Sequence, residues 1–217
     1  MAPEQDRPYA GKLALVPGAT GFVGNHVARV ALERGFGVRC LARRGSDRSL
    51  LDALSKLAGA DPGAVEVVEG SLTDPESLSE AVRGCSHVFH VAADYRLFVR
   101  DPAAMHAANV DGTRHILRAA ADAGAERSVH TSSVGTLGIV PGGAADEETP
   151  VTLQEMVGHY KRTKFLAERV AEEEAASGAP VVIVNPSTPV GEGDIKPTPT
   201  GRIIVDFLNG KTPAFVD

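Results

Sequence analysis

The feature that most restricts how this 217-residue chain can fold is an alternation. Short apolar or β-branched runs lie at residues 13–16, 38–41, 65–68, 87–91 and 181–184, with a weaker one at 128–132. Between them fall segments of helical spacing at 25–34, 50–57, 76–82, 103–123 and 153–176. Strands that are apolar throughout, each followed by a helix, need cover on both faces of a parallel sheet. The right-handed crossover rule then predicts a doubly wound α/β fold. The boundaries carry matching punctuation: Gly35 and Gly124 suit helix C-termini, and Asp74-Pro75 and Asp101-Pro102 suit an N-cap followed by the first helical position. Residues 1–11 read as a loose polar tail, 12–185 as the alternating domain, and 186–217 as a change of character, with Pro186, Pro189, Pro197 and Pro199 in a short span before a helix at 201–208.

Chemistry concentrates in three places. The first is the turn Gly18-Ala19-Thr20-Gly21-Phe22-Val23-Gly24, directly between the first strand and the first helix. Three glycines at a strand-to-helix turn let backbone amides and the positive end of a helix approach a pyrophosphate without Cβ clashes. The second is Tyr160 with Lys164, four residues apart on one face of a helix. A tyrosine needs its pKa lowered by about 3 units to exchange protons near neutrality, and an adjacent ammonium supplies part of that. Third, Thr131-Ser132-Ser133-Val134-Gly135-Thr136-Leu137-Gly138 ends the weak strand, so its hydroxyls fall at the carboxyl edge of the sheet, where α/β proteins place ligands. A long loop at 141–150 separates it from the helix bearing Tyr160.

Other function classes find little support. A formal net charge of -6 gives no global case for nucleic acid or an anionic membrane as partner. Cys40 and Cys85 form no Cys-x-x-Cys, and His87 and His90 point to opposite faces of a strand, so no disulfide framework or metal site is expected. The polar N-terminus lacks the apolar core of a signal peptide, and no run reaches the roughly 18 apolar residues of a membrane span. A soluble cytoplasmic protein is expected. Gly-x-Ser-x-Gly and Walker patterns are absent.

With Gly18-x-x-Gly21-x-x-Gly24, Ser133 and Tyr160-x-x-x-Lys164 in this order, the chain resembles the extended short-chain dehydrogenase/reductases from about Lys12 onward. The segments His90-Val91-Ala92-Ala93-Asp94-Tyr95-Arg96, Asn109-Val110-Asp111-Gly112-Thr113 and Asn185-Pro186-Ser187-Thr188-Pro189 are similar to the hopanoid-associated sugar epimerase branch and to dihydroflavonol 4-reductase-like enzymes. The resemblance implies a nicotinamide dinucleotide cofactor, with Tyr160 as acid/base, Lys164 lowering its pKa and binding the nicotinamide ribose, and Ser133, rather than Ser132, orienting the reacting carbonyl. It implies cofactor contacts from Gly18, Thr20, Gly21, Phe22, Val23, Gly24, Ser71, Leu72, Ala92, Ala93, Asn109, Asn185, Pro186, Ser187 and Thr188 as well as from Tyr160 and Lys164.

Two departures stand out. Pro17 replaces the usual Thr before the first glycine and removes a backbone donor, and Gly70-Ser71-Leu72 replaces Gly-Asp-Leu and loses a carboxylate near the adenine. About 20 residues past the glycine loop, where NAD-selective sites carry an acidic residue, the chain has Leu41-Ala42-Arg43-Arg44-Gly45-Ser46. Arg43 matches the arginine that reductases of this family pair with a 2′-phosphate, which implies NADP, with NAD as the alternative. The implied substrate is a nucleotide-sugar, with a ketone as the alternative. A non-catalytic dinucleotide sensor is disfavoured, since a sensor has no need of Ser133, Tyr160 and Lys164 together. Relatives of this kind continue past the position of Asp217 with a substrate lobe and dimerise through helices matching 103–123 and 153–176. An incomplete lobe and a homodimer are therefore expected.

Overall fold

The computed structural model describes residues 7–57, 63–96 and 98–212. The expected tail therefore lies partly, and the chain's last five residues wholly, outside the described residues. Six strands, β1 (Leu13–Pro17), β2 (Gly37–Ala42), β3 (Val65–Glu69), β4 (His87–His90), β5 (Arg127–Thr131) and β6 (Val181–Val184), form one sheet in the order β3-β2-β1-β4-β5-β6. Every pairing is parallel. The order reverses between β1 and β4, so a crevice opens above their carboxyl ends, and both the glycine turn and the hydroxyl-rich turn border it. The doubly wound reading of the alternation is what the chain adopts.

Helices α1 (Phe22–Glu33) and α2 (Ser49–Leu57) cover one face; α3 (Pro75–Ala81), α4 (Pro102–His106), α5 (Gly112–Asp122) and α6 (His159–Ala176) cover the other. Successive residues of β1 show why the strands read as unbroken apolar runs. Ala14 and Val16 pack with Ala28, Val38, Cys40, Leu51 and Leu54, while Leu15 packs oppositely with Leu78, Val88, Ile116, Leu117 and Ala171. The expected caps are in place. Asp74 and Asp101 accept the N–H groups of Ser77 and Ala104, and Gly35 and Gly124 take φ of +97° and +75°.

Two helices depart from the periodicity. The segment expected to run unbroken from 103 is interrupted by a π turn, Ala107–Asp111, which joins α4 to α5 and contains Asn109. The helix expected over 153–176 begins only at His159. Residues Leu153–Glu155 make a separate 3₁₀ turn, in which the Glu155 carboxylate accepts from both the Thr152 amide and hydroxyl at 2.7 Å. Gly158 then sits at φ +86°, which no helix can pass through, so the apolar spacing of 153–157 continues the pattern without continuing the helix. A last helix, α7 (Pro199–Leu208), is capped by the Thr198 hydroxyl and leaves Ile203 and Leu208 largely exposed. No helix among the described residues is long and apolar enough to cross a membrane.

Candidate active site

The glycine turn is fixed by close approach. At Gly18, where φ is +96°, a Cβ would stand 2.7 Å from the Ala92 nitrogen; at Gly24 it would stand 2.1 Å from the Gly18 carbonyl oxygen. Gly21 differs: its Cβ would meet only the Gly18 oxygen, at 3.4 Å, and the residue faces outward. It caps α1 without a side chain, and the first turn carries no carboxylate. The leading N–H groups of α1, at Phe22 and Val23, are thus left to an external anion, and half-buried Thr20 stands beside them. A cradle that a Cβ would fill, lined by backbone donors at a helix N-terminus, fits the pyrophosphate of a dinucleotide. Pro17 costs the sheet little, since its carbonyl still accepts the Val91 amide at 3.1 Å.

Across the crevice, Ala92 and Ala93 follow β4, and buried Asn109 braces the loop they begin. Its Oδ1 accepts the Asp94 amide at 2.6 Å, and its Nδ2 donates to the Asp94 carbonyl at 2.9 Å and to the Thr163 hydroxyl at 3.1 Å. Thr163 in turn donates to the Tyr160 carbonyl at 3.0 Å. One amide therefore joins the crevice wall to the helix of Tyr160. Ser71 bonds within its own turn, through Thr73 and Ser77, and Leu72 packs beside Gly112.

Of the basic cluster after β2, Arg44 and Arg48 both approach Glu69, at 4.0 and 3.7 Å. Arg43 is exposed and ion-paired with no carboxylate among the described residues. Asp94 is held below the usual carboxylate range mainly by its bonds from Arg96, with Arg43 adding to the effect across the crevice.

At the end of β5 the two serines separate. The Ser132 hydroxyl is buried with no partner, whereas Ser133 turns its hydroxyl toward Tyr160 and also accepts the Gly135 amide at 3.1 Å. Burial pushes the Tyr160 hydroxyl above its ordinary value, and the Ser133 hydroxyl opposes that rise. Lys164 is buried at 4% exposure and donates to the Thr131 carbonyl at 2.7 Å. Desolvation brings it down to about 8, against the favourable field of Glu168.

Beneath it lie the rings of His90 and His130, 5.3 Å apart. His90 meets the Thr113 hydroxyl at 2.9 Å; its Nδ1 and both nitrogens of His130 have no partner. Burial and then the Lys164 charge keep both rings neutral, His90 down to about 3. Among the described residues no cluster of His, Cys, Asp or Glu could hold a metal ion.

Asn185 is half-buried beyond the end of β6. Its amide donates to Glu168 at 2.7 Å and to the Ser133 carbonyl at 3.2 Å. The Pro186 carbonyl accepts the Val134 amide at 3.1 Å, and Ser187 and Thr188 are exposed. Sequence reasoning gave no individual role to Glu168, Thr136 or Thr163, which hold this edge together. A usable signal was present for one of them: Tyr160, Lys164 and Glu168 recur at intervals of four and share a helix face.

Comparison with known proteins gives one consistent result. The model of the NAD dependent epimerase/dehydratase family matches residues 14–211. A Synechocystis protein provisionally named a dihydroflavonol 4-reductase is 44% identical over 203 residues, 93% of this chain and 56% of the relative. Sterol demethylase protein B of Methylococcus capsulatus is 41% identical over 93% of this chain and 59% of its own length. The crystal structure of gox2253 superposes with a TM-score of 0.83 at 47% identity, covering 94% of this chain and 60% of that one. The chain thus spans somewhat over half the length of these relatives.

Proposed function

The chain belongs to the NAD-dependent epimerase/dehydratase family, and from that premise we propose that it is a reductase transferring hydride from a nicotinamide dinucleotide to a carbonyl carbon. The observation that carries this reading is the meeting of the Tyr160 and Ser133 hydroxyls at the same sheet edge as the open N-terminus of α1. Gly18, Thr20, Gly21, Phe22, Val23 and Gly24 would hold the pyrophosphate, Ala92 and Ala93 would line the groove, and Pro186, Ser187 and Thr188 would border its nicotinamide end. The bound dinucleotide supplies the hydride. Ser133 donates a hydrogen bond to the substrate carbonyl and fixes its orientation. Tyr160 gives its proton to the same oxygen as the carbon is reduced, so that the product is an alcohol. The Lys164 ammonium would favour the phenolate left behind and would bind a ribose hydroxyl of the dinucleotide.

The name of the Synechocystis relative supports a ketone as substrate. A nucleotide-sugar epimerase is the second reading, supported by the description of the family model. Arg43, free of a carboxylate partner, supports NADP over NAD. Residues 12–185 would make up the dinucleotide-binding unit, and 186 onward the start of a substrate lobe, in keeping with the apolar residues α7 leaves exposed. The outer faces of α5 and α6 would meet those of a second copy in the cytoplasm, and sedimentation as a monomer at micromolar concentration would remove that element.

A panel of ketones and nucleotide-sugars, followed by dinucleotide absorbance and by product stereochemistry, tests the reading. Stoichiometric oxidation of the dinucleotide with a ketone is expected. Interconversion of sugar epimers with no net absorbance change would replace it with the second reading.

A further inference from the structure

Glu168 is only 5% exposed, and an ionised carboxylate survives at that depth only if its oxygens are satisfied. They are. Oε1 accepts from Arg169 at 3.0 Å, while Oε2 accepts from the Thr136 hydroxyl at 2.8 Å and from Asn185 Nδ2 at 2.7 Å. The partners of Oε2 come from two distant parts of the chain, and both also reach the Ser133 carbonyl, Thr136 at 2.6 Å and Asn185 at 3.2 Å. The single Thr136 proton is contested between two acceptors, and the two amide protons of Asn185 make up the deficit. The backbone of the Ser133 turn is thereby fastened to α6 through the Glu168 carboxylate.

Glu168 lies one turn beyond Lys164 on the face that carries Tyr160. The ionisable groups that interact with the Lys164 ammonium are Glu168 from α6, His90 from β4 and His130 from β5. Both imidazoles are neutral, so Glu168 is the group that favours a charged lysine, and it is itself flanked by Arg169 and Glu172.

We propose that Glu168 is a positioning residue of this site, which fastens the Ser133 turn to the helix of Tyr160 and stands as the counter-charge of the buried Lys164 ammonium. The inference rests on the assignment of Ser133, Tyr160 and Lys164 above, and deepens it. A scaffold role alone would need only hydrogen-bond acceptors; the counter-charge role needs the negative charge. The two part company in Glu168→Gln, which keeps size and one acceptor oxygen.

The test is the titration of the Lys164 Nζ resonance in ¹⁵N-lysine-labelled full protein, assigned with Lys164→Arg and read without substrate or dinucleotide. Wild type should titrate near pH 8, and Glu168→Gln should titrate about one unit lower, because an opposite charge has been removed. An unmoved inflection in a folded Glu168→Gln protein would overturn the counter-charge role. If that variant does not fold, Arg169→Gln serves instead. Its side chain is 41% exposed and pairs with Glu168 and Glu172, so its loss strengthens the field of Glu168 and should move the inflection upward. No movement there would equally overturn the proposal. Since the signal needs no turnover, it fails independently of the reductase reading, which Tyr160→Phe kinetics decide.

Discussion

The β1–α1 corner and the β5–α6 edge face the same crevice but are built by different means. At the first, backbone does the positioning: Gly18 and Gly24 are locked by atoms 2.7 and 2.1 Å from where a Cβ would stand, and Gly21 leaves the helix end bare. At the second, side chains do it, through buried Lys164, Glu168, His90 and His130, with Thr136, Asn109 and Asn185 as struts. A backbone cradle binds whatever presents phosphate oxygens and has no proton to give. The side-chain edge can move a proton, and holding ionisable groups out of water is its cost. Binding and chemistry should therefore separate on mutation.

The largest separation is expected for Tyr160→Phe, which removes the transferable proton and leaves the ring. Turnover should fall about 10²- to 10⁴-fold while calorimetry finds dinucleotide affinity close to wild type. At the opposite corner, Gly24→Ala drives a methyl into the Gly18 carbonyl, and unfolding should register a loss of about 1–3 kcal/mol together with weaker dinucleotide binding.

Acid should affect the β5–α6 edge. His90 and His130 resist protonation when folded but accept protons near pH 6.5 when unfolded. Their stabilisation is complete above pH 6.5 and is lost as pH falls below it, toward about 3 for His90. The expected slope is about 1.4 kcal/mol per pH unit for each histidine, and His130→Phe should reduce it in urea unfolding at pH 7 and pH 5. The smallest effect is expected at the rim of the cradle. Arg43→Ala should weaken NADP by about five- to tenfold and leave NAD unchanged in paired calorimetric titrations.

The same contrast governs what could be read from the sequence. The parallel, doubly wound fold class and the glycine turn follow from local rules: apolar runs of strand length, a helix after each, and glycines where backbone crowds backbone. Tyr160 and Lys164 were legible because helical spacing is local too. The start of α6 was not, since the spacing over 153–157 stays helical while the extended backbone of Met156 and the positive φ of Gly158 keep that stretch out of the helix. Nor was the π turn at Asn109, whose amide bonds join residues 15 and 54 positions away. Glu168 reads as one of many surface carboxylates until the fold brings Thr136 and Asn185 to it from 32 and 17 positions away. Motifs carried by backbone sterics announce themselves; networks assembled by tertiary contact do not.

Gly21→Asp tests the dinucleotide cradle most directly. The backbone there, φ -105° and ψ 171°, suits an aspartate N-cap, and its Cβ would have 3.4 Å to the nearest atom outside its neighbours. The variant should fold with equal or higher thermal stability, because the new carboxylate satisfies the open amides of α1. That carboxylate occupies the place of the pyrophosphate and repels it, so calorimetry with NADPH and NADH should find binding lost in a protein that melts no lower than wild type. Dinucleotide affinity equal to that of the unmodified chain would contradict the assignment of this helix end as the cofactor site.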